Sequence, residues 1–177
     1  MLKARKIFGL LYTGERKLET FSDADYAGDK LTRKSTSGTL TKIAGAAVMW
    51  QSQKQQTVAL STTEAEYVSA ATAAKDIIWI YRLLTELVLN FKKNVLYVDN
   101  MSAIKLLMNP EFHQRTKHID VKYHFVRDLV EDDKICVEYV ASESQFADIL
   151  TKALPKNRFV NLRLKLGLVC KNNLKLC

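Results

Sequence analysis

The spacing of hydrophobic and polar residues changes several times along this chain, and each change marks an element. Lys17 to Asp23 carries Leu18, Thr20 and Phe21 and reads as a strand that ends in the acidic run Ser22-Asp23-Ala24-Asp25. Asp29 to Ser37 is polar and reads as a loop. Gly38 to Ile43 and Ala46 to Gln51 are short β-prone stretches around Ala44-Gly45, the pattern of a hairpin. After a glutamine-rich connector the period becomes helical. Tyr67, Ala70, Ala71, Ala74, Ile77, Ile78, Tyr81, Leu84 and Leu87 share one face of a helix that ends near Asn90. Ser61, Thr62 and Thr63 are its candidate N-caps, and Glu64 and Glu66 lie in its first turns, where carboxylates complement the helix dipole.

Val95-Leu96-Tyr97-Val98, inside Asn94 to Asp99, is an unbroken apolar run, as in a strand buried on both faces. Asn100 to Met108 reads as a helix stopped by Asn109-Pro110, and Thr116 to Val130 as another. Ile135 to Val140 is a further strand. Gln145 to Leu154 reads as a helix closed by Pro155, and Phe159 to Leu166 as one or two more amphipathic turns. The order β-β-β-α-β-α-α-β-α predicts an α/β fold. Its mixed five-stranded sheet would be an antiparallel meander followed by parallel strands, flanked by helices.

Composition narrows the class. A chain of 177 residues, 47% hydrophobic and 26% charged, suits one globular domain and excludes collagen, coiled coil and wholesale disorder. The apolar runs are too short to span a bilayer, so no membrane partner is expected. Three cysteines without a CxxC pair argue against a disulfide framework or a zinc knuckle and suit a reducing, intracellular setting. The net charge of +8 is unevenly spread: after Asp148 there are seven Lys or Arg and no acid. Such a basic end suggests contact with a polyanion.

Four acids stand at seams between elements of an otherwise apolar core. Asp23 lies at a strand end, Glu66 near a helix start, Asp99 after the buried strand, and Asp148 at the opening of a late helix. Taken singly, Glu66 is explained as a dipole partner, Asp99 and Asp148 as caps, and Asp23-Ala24-Asp25 as a triplet frequent by chance; together they are informative. Gathered carboxylates repel one another, and a hard divalent cation relieves that repulsion. Two such ions form the clamp used for in-line phosphoryl transfer. The chain has no P-loop, GxGxxG or GxSxG pattern. His113, His118 and His124 lack the cysteine companions of a zinc site and read as solvated or substrate-facing.

Six blocks of this sequence resemble the ribonuclease H domain of copia-type LTR retrotransposon Pol polyproteins. They are Ser22 to Asp29, Arg33 to Gly38, Val58 to Tyr67, Tyr97 to Asn100, Arg115 to Phe125, and Phe146 to Lys152, in the family's order. The resemblance covers about residues 8–169. It implies an RNase H-like fold and a metal site of Asp23, Glu66, Asp99 and Asp148, holding two Mg²⁺ ions with Mn²⁺ as the alternative. It implies hydrolysis of the RNA strand of an RNA–DNA hybrid during reverse transcription, in company with the reverse transcriptase domain of the same polyprotein. Glu66 is preferred to Glu64 because Ala65-Glu66-Tyr67 matches the block that carries the family's glutamate.

Lys34, Lys54, Asn100, Ser102, Lys117 and Lys152 are the candidates for nucleic-acid contact. Related enzymes carry a histidine in the loop before the last acid; here that loop is Ala141 to Gln145, with Glu143 but no histidine. An integrase would need a glutamate some 35 residues after Asp99, where Lys134 stands instead. The division expected is 1–12 as the remnant of the segment after reverse transcriptase, 13–155 as the RNase H domain, and 156–177 as a basic tail. The place of action expected is the cytoplasm or nucleus, in a virus-like particle where the element is active. The competing reading is a catalytically silent or domesticated module that binds nucleic acid or packs against a reverse transcriptase.

Overall fold

The computed structural model describes residues 7–15, 17–87, 94–108 and 125–170. Its main sheet has five strands: β2 (Leu18–Asp25), β3 (Thr36–Ile43), β4 (Ala46–Lys54), β5 (Asn94–Val98) and β6 (Ile135–Tyr139), in the spatial order β4-β3-β2-β5-β6. β2, β3 and β4 form the antiparallel meander, and β5 and β6 add on parallel to β2. The α/β fold expected from the pattern is the one observed. A second, two-stranded sheet pairs β1 (Phe8–Leu10) with β7 (Leu168–Cys170).

Alternation along β2 divides the core into two layers. Leu18, together with Leu96 and Val98 of β5, packs under the long helix α1 (Thr62–Glu86). That helix presents Ala70, Ala71, Ala73 and Ala74 to the sheet, and their small side chains allow a close approach. α2 (Met101–Met108) and α3 (helical at residues 125–131) complete this layer through Ile104, Leu107 and Val126. On the other face Phe21 and Leu40 meet Ala147, Phe146 and Leu166. Phe146 and Ala147 lie just before α4 (Asp148–Thr151), and Leu166 caps the end of α5 (Lys156–Lys165).

Two expectations change. The helix expected over Gln145–Leu154 is only the four-residue α4, preceded by a 3₁₀ turn at Ser142–Ser144. Gln145 is the cause: it is extended and fully buried, and its Nε2 donates to the Ser22 carbonyl at 2.9 Å, so it serves as a plug rather than a helix start. The turns expected over Phe159–Leu166 form a full helix, α5, that begins at Lys156. It is anchored by the buried Leu162 and closed by Gly167, whose φ of +75° favours glycine. Hydrogen bonds join residues on either side of the segment boundaries expected from the sequence: Tyr12 Oη donates to Ala47 O, Leu11 N to Gly167 O, and Phe159 N to Pro155 O. Among the described residues no helix is long and apolar enough to cross a membrane.

Candidate active site

Parallel pairing of β2 with β5 sets the first two acids side by side. Ser22 is registered with Val98, so Asp23 on β2 and Asp99, just beyond β5, emerge at the same end of the sheet. This is the carboxyl end of the parallel strands, where α/β sheets place their chemistry. Asp148 arrives from the opposite layer as the first residue of α4. Its approach depends on Gly38, the β3 partner of Asp23. A Cβ there would lie 2.6 Å from Thr151 Cγ2 and 3.1 Å from the Ala147 carbonyl, so only glycine lets α4 rest on the sheet. Glu66 comes from the second turn of α1, which is pinned to the sheet by Ser69 Oγ donating to the Asp23 carbonyl at 2.8 Å.

One carboxylate oxygen from each of Asp23, Asp99 and Asp148 lies within 4.8 Å of the others. Glu66 borders this group: its Oε1 accepts from Ala24 N at 3.1 Å, and its Oε2 is buried without a hydrogen-bond partner. Burial first, and then the charges of Asp23 and Asp99, push the Glu66 carboxyl up to about 9. Burial and the neighbouring Asp23 raise Asp99 as well. Burial also raises Asp148, against the pull of Lys152.

Two cations answer this negative charge. Lys152 Nζ donates to Asp23 Oδ1 and to Asp148 Oδ1, both at 2.8 Å. Burial alone would lower its pKa, but its hydrogen bonds to Asp148 and Asp23 outweigh that and hold it above the usual lysine range. Arg158 of α5 donates from Nη2 to Asp148 Oδ2 and to the Ser142 carbonyl. Thr151 Oγ1 donates to Asp23 Oδ2, and Ser142 Oγ to Asp99 Oδ2 at 3.3 Å.

The site therefore contains Asp23, Glu66, Asp99, Asp148 and Lys152 from the sequence-derived candidates. Glu64 lies apart from it: Ser61 Oγ caps α1 by accepting from Glu64 N, and the Glu64 carboxylate accepts from Leu60 N. The N-cap expected near Asp99 is Asn100, whose Oδ1 accepts from Ser102 N and Ala103 N. Ser102 is exposed on the first turn of α2. Lys54 is exposed and paired with Asp29, and Lys34 is half-buried in the neighbouring loop. Lys117, His113, His118 and His124 lie outside the described residues. Arg158, Thr151, Ser142 and Gly38 were not legible as site residues. The basic run after Asp148 was visible, but not that one of its members turns back onto that acid.

The donor set fits a hard divalent cation: the clustered carboxylate oxygens of Asp23, Asp99 and Asp148, bordered by Glu66, whose Oε2 is buried and unpartnered. Asp23, Asp99 and Asp148 would hold it, with Glu66 in reach.

No protein-family model matches the sequence. The chain is 48% identical over 142 residues to the retrovirus-related Pol polyprotein from transposon TNT 1-94 of Nicotiana tabacum, covering 80% of this chain and 11% of that protein. It is 42% identical over 151 residues to the Pol polyprotein from transposon RE1 of Arabidopsis thaliana, covering 85% and 10%. It thus spans about a tenth of the length of these curated relatives. Among solved structures, LC11-RNase H1, isolated from compost, superimposes with a TM-score of 0.59 at 13% identity, covering 84% of this chain and 99% of that one. LC11-RNase H1 in complex with an RNA/DNA hybrid gives 0.54 at 12%, covering 76% and 94%. The chain is therefore homologous to one segment of the retrovirus-related Pol polyproteins of copia-type transposons, and it has the fold of the ribonucleases H.

Proposed function

We propose that this chain is a divalent-cation-dependent endoribonuclease that hydrolyses the RNA strand of RNA–DNA hybrids, as the ribonuclease H segment of a transposon Pol polyprotein. The observation that carries this is the meeting of Asp23, Asp99 and Asp148 within 4.8 Å, with the buried Glu66 beside them. Stability alone does not select such a group, because each acid raises the cost of ionising the next. The fold shared with LC11-RNase H1, which has been solved with an RNA/DNA hybrid, supports the choice of substrate.

The reaction adds water to a phosphodiester of the RNA strand and breaks the bond to the 3′-oxygen, leaving a 3′-hydroxyl and a 5′-phosphate. Two Mg²⁺ or Mn²⁺ ions, when bound, supply activation of the water and stabilisation of the leaving oxygen. The chain's own groups do the rest. Asp23, Glu66, Asp99 and Asp148 fix the position of the reacting centre at the sheet end. Arg158 and the Ser142 carbonyl hold the loop at 141–145 against Asp148, and Ser142 Oγ orients Asp99. In this loop Glu143 is exposed, and Ser142 is the residue joined to the acids. Lys34, Lys54 and Lys117 are assigned to phosphate contact, which makes binding fall as salt rises, and Asn100 and Ser102 to contact near the site. Recognition rests on hybrid shape and the 2′-hydroxyl rather than base sequence. The partner is the reverse transcriptase of the same polyprotein, and the setting is intracellular.

The test is cleavage of an end-labelled RNA strand. Products should appear from the RNA–DNA hybrid with Mg²⁺, vanish in EDTA, and be absent from duplex DNA of the same sequence. Hybrid binding without cleavage under any divalent cation would instead establish the silent-module reading.

A further inference from the structure

Lys152 occupies a position that sets it apart from the other basic residues. Its ammonium is 2.8 Å from one oxygen of Asp23 and 2.8 Å from one of Asp148, two of the three carboxylates that converge. Those acids are 0% and 2% exposed, whereas the lysine side chain is 39% exposed. A cation on a flexible stem, with an open path to solvent, thus neutralises two nearly buried anions. Arg158 is held differently. It grips the second oxygen of Asp148, and the same Nη2 donates to the Ser142 carbonyl at 2.6 Å. Its helix is fixed to the sheet by the buried Leu162 and by Ala47 N donating to Leu166 O. One cation is therefore free to leave and the other is tied in place.

We propose that Lys152 is an internal placeholder for the divalent cation, so that metal loading is an exchange. The ammonium leaves Asp23 Oδ1 and Asp148 Oδ1 as the ion takes them, while Arg158 keeps Asp148 oriented through Oδ2. This rests on the metal-site reading above and adds to it which residue competes with the ion and which positions its ligand. The displaced ammonium remains tethered at the rim of the site, where a phosphodiester would lie. Exchange keeps the acids compensated before loading, so the fold tolerates them without metal. Its consequence is a divalent affinity weaker than the same carboxylates would show unopposed.

The experiment is calorimetric titration of the full chain with Mn²⁺ at pH 8, constant ionic strength and no nucleic acid, so that hydrolysis plays no part. Lys152→Met should bind Mn²⁺ about tenfold more tightly than the parent, the effect of removing a like charge a few ångströms from the ion. Lys134→Met, at the far end of β6, should leave affinity unchanged and so controls for net charge. Arg158→Met should bind more weakly, because Asp148 loses its orientation, and Arg158→Lys should recover only part of that loss. Thermal unfolding in EDTA monitors folding of each variant. Should the folded Lys152→Met protein bind Mn²⁺ no more tightly than the parent, the exchange is overturned while the metal site stands. If neither parent nor variant binds Mn²⁺, both fall together.

Discussion

At the carboxyl end of β2, four acids share a site with two cations, while lower on the same face of the sheet a single lysine, Lys42, lies buried among aromatic rings. Lys42 is 7% exposed, its ammonium sits 4.4 Å from the centre of the Phe146 ring, and Glu19 faces it across the β2–β3 pair. Phe146 in turn packs on Phe21, and Phe21 stacks on Tyr97. Burial lowers the pKa of Lys42, and the π face and the acid return part of that cost. Its needs are met within the fold. The acid cluster differs: acids outnumber the cations, Glu66 is pushed up to about 9, and its Oε2 has no partner. A buried charge with its compensation built in is structural. A group of charges whose compensation is incomplete is waiting for a ligand.

The largest effect that separates the two regions is on turnover. Asp23→Asn and Asp99→Asn should each reduce hybrid cleavage to background. Their melting temperatures in EDTA should match or exceed that of the parent, since one repelling charge is gone. Initial rates and unfolding curves on the same samples show this. Gly38→Ala comes next. The added methyl would press on Thr151 and the Ala147 carbonyl and shift Asp148, costing about a hundredfold in rate. Overpacking there should also cost about 1–3 kcal/mol of stability, read by denaturant titration.

Glu66→Gln sharpens the comparison through pH. The Glu66 carboxyl titrates higher in the folded chain than its ordinary 4.5, so the native state holds its proton where the unfolded state has lost it. Its contribution is fully present below about 4.5 and is lost as pH rises towards about 9. In metal-free buffer the stability of the parent relative to Glu66→Gln should decline across that window, as followed by chemical denaturation at several pH values. The smallest effect is expected at Lys42. Lys42→Met keeps the packing and removes a buried charge that has no ligand to hold, so stability should change by less than about 1.5 kcal/mol and cleavage not at all.

Much of this was legible from local pattern. The periods of β2, α1 and β5 give their positions directly, because the face each buries is continuous in sequence. The four acids stood out because they interrupt apolar elements at their ends. Contacts between distant segments were not legible. Nothing near Gln145 signals that its amide reaches the Ser22 carbonyl, so the sequence pattern starts the helix three residues before Asp148, where α4 begins. Nothing in the charge of residues 156–170 distinguishes a solvated tail from a helix that returns Arg158 to Asp148 and a strand that pairs with Phe8–Leu10. The choice between Glu64 and Glu66 rested on resemblance; in the structure Glu64 belongs to the cap and Glu66 lies beside Asp23 and Asp99.

The most direct measurement is anomalous scattering from crystals grown with Mn²⁺ and an uncleavable hybrid. Manganese peaks should lie among the carboxylates of Asp23, Glu66, Asp99 and Asp148, with the Lys152 ammonium withdrawn from between Asp23 and Asp148. Manganese bound elsewhere, with that lysine still bridging the two aspartates while the same protein cuts RNA in solution, would contradict the account.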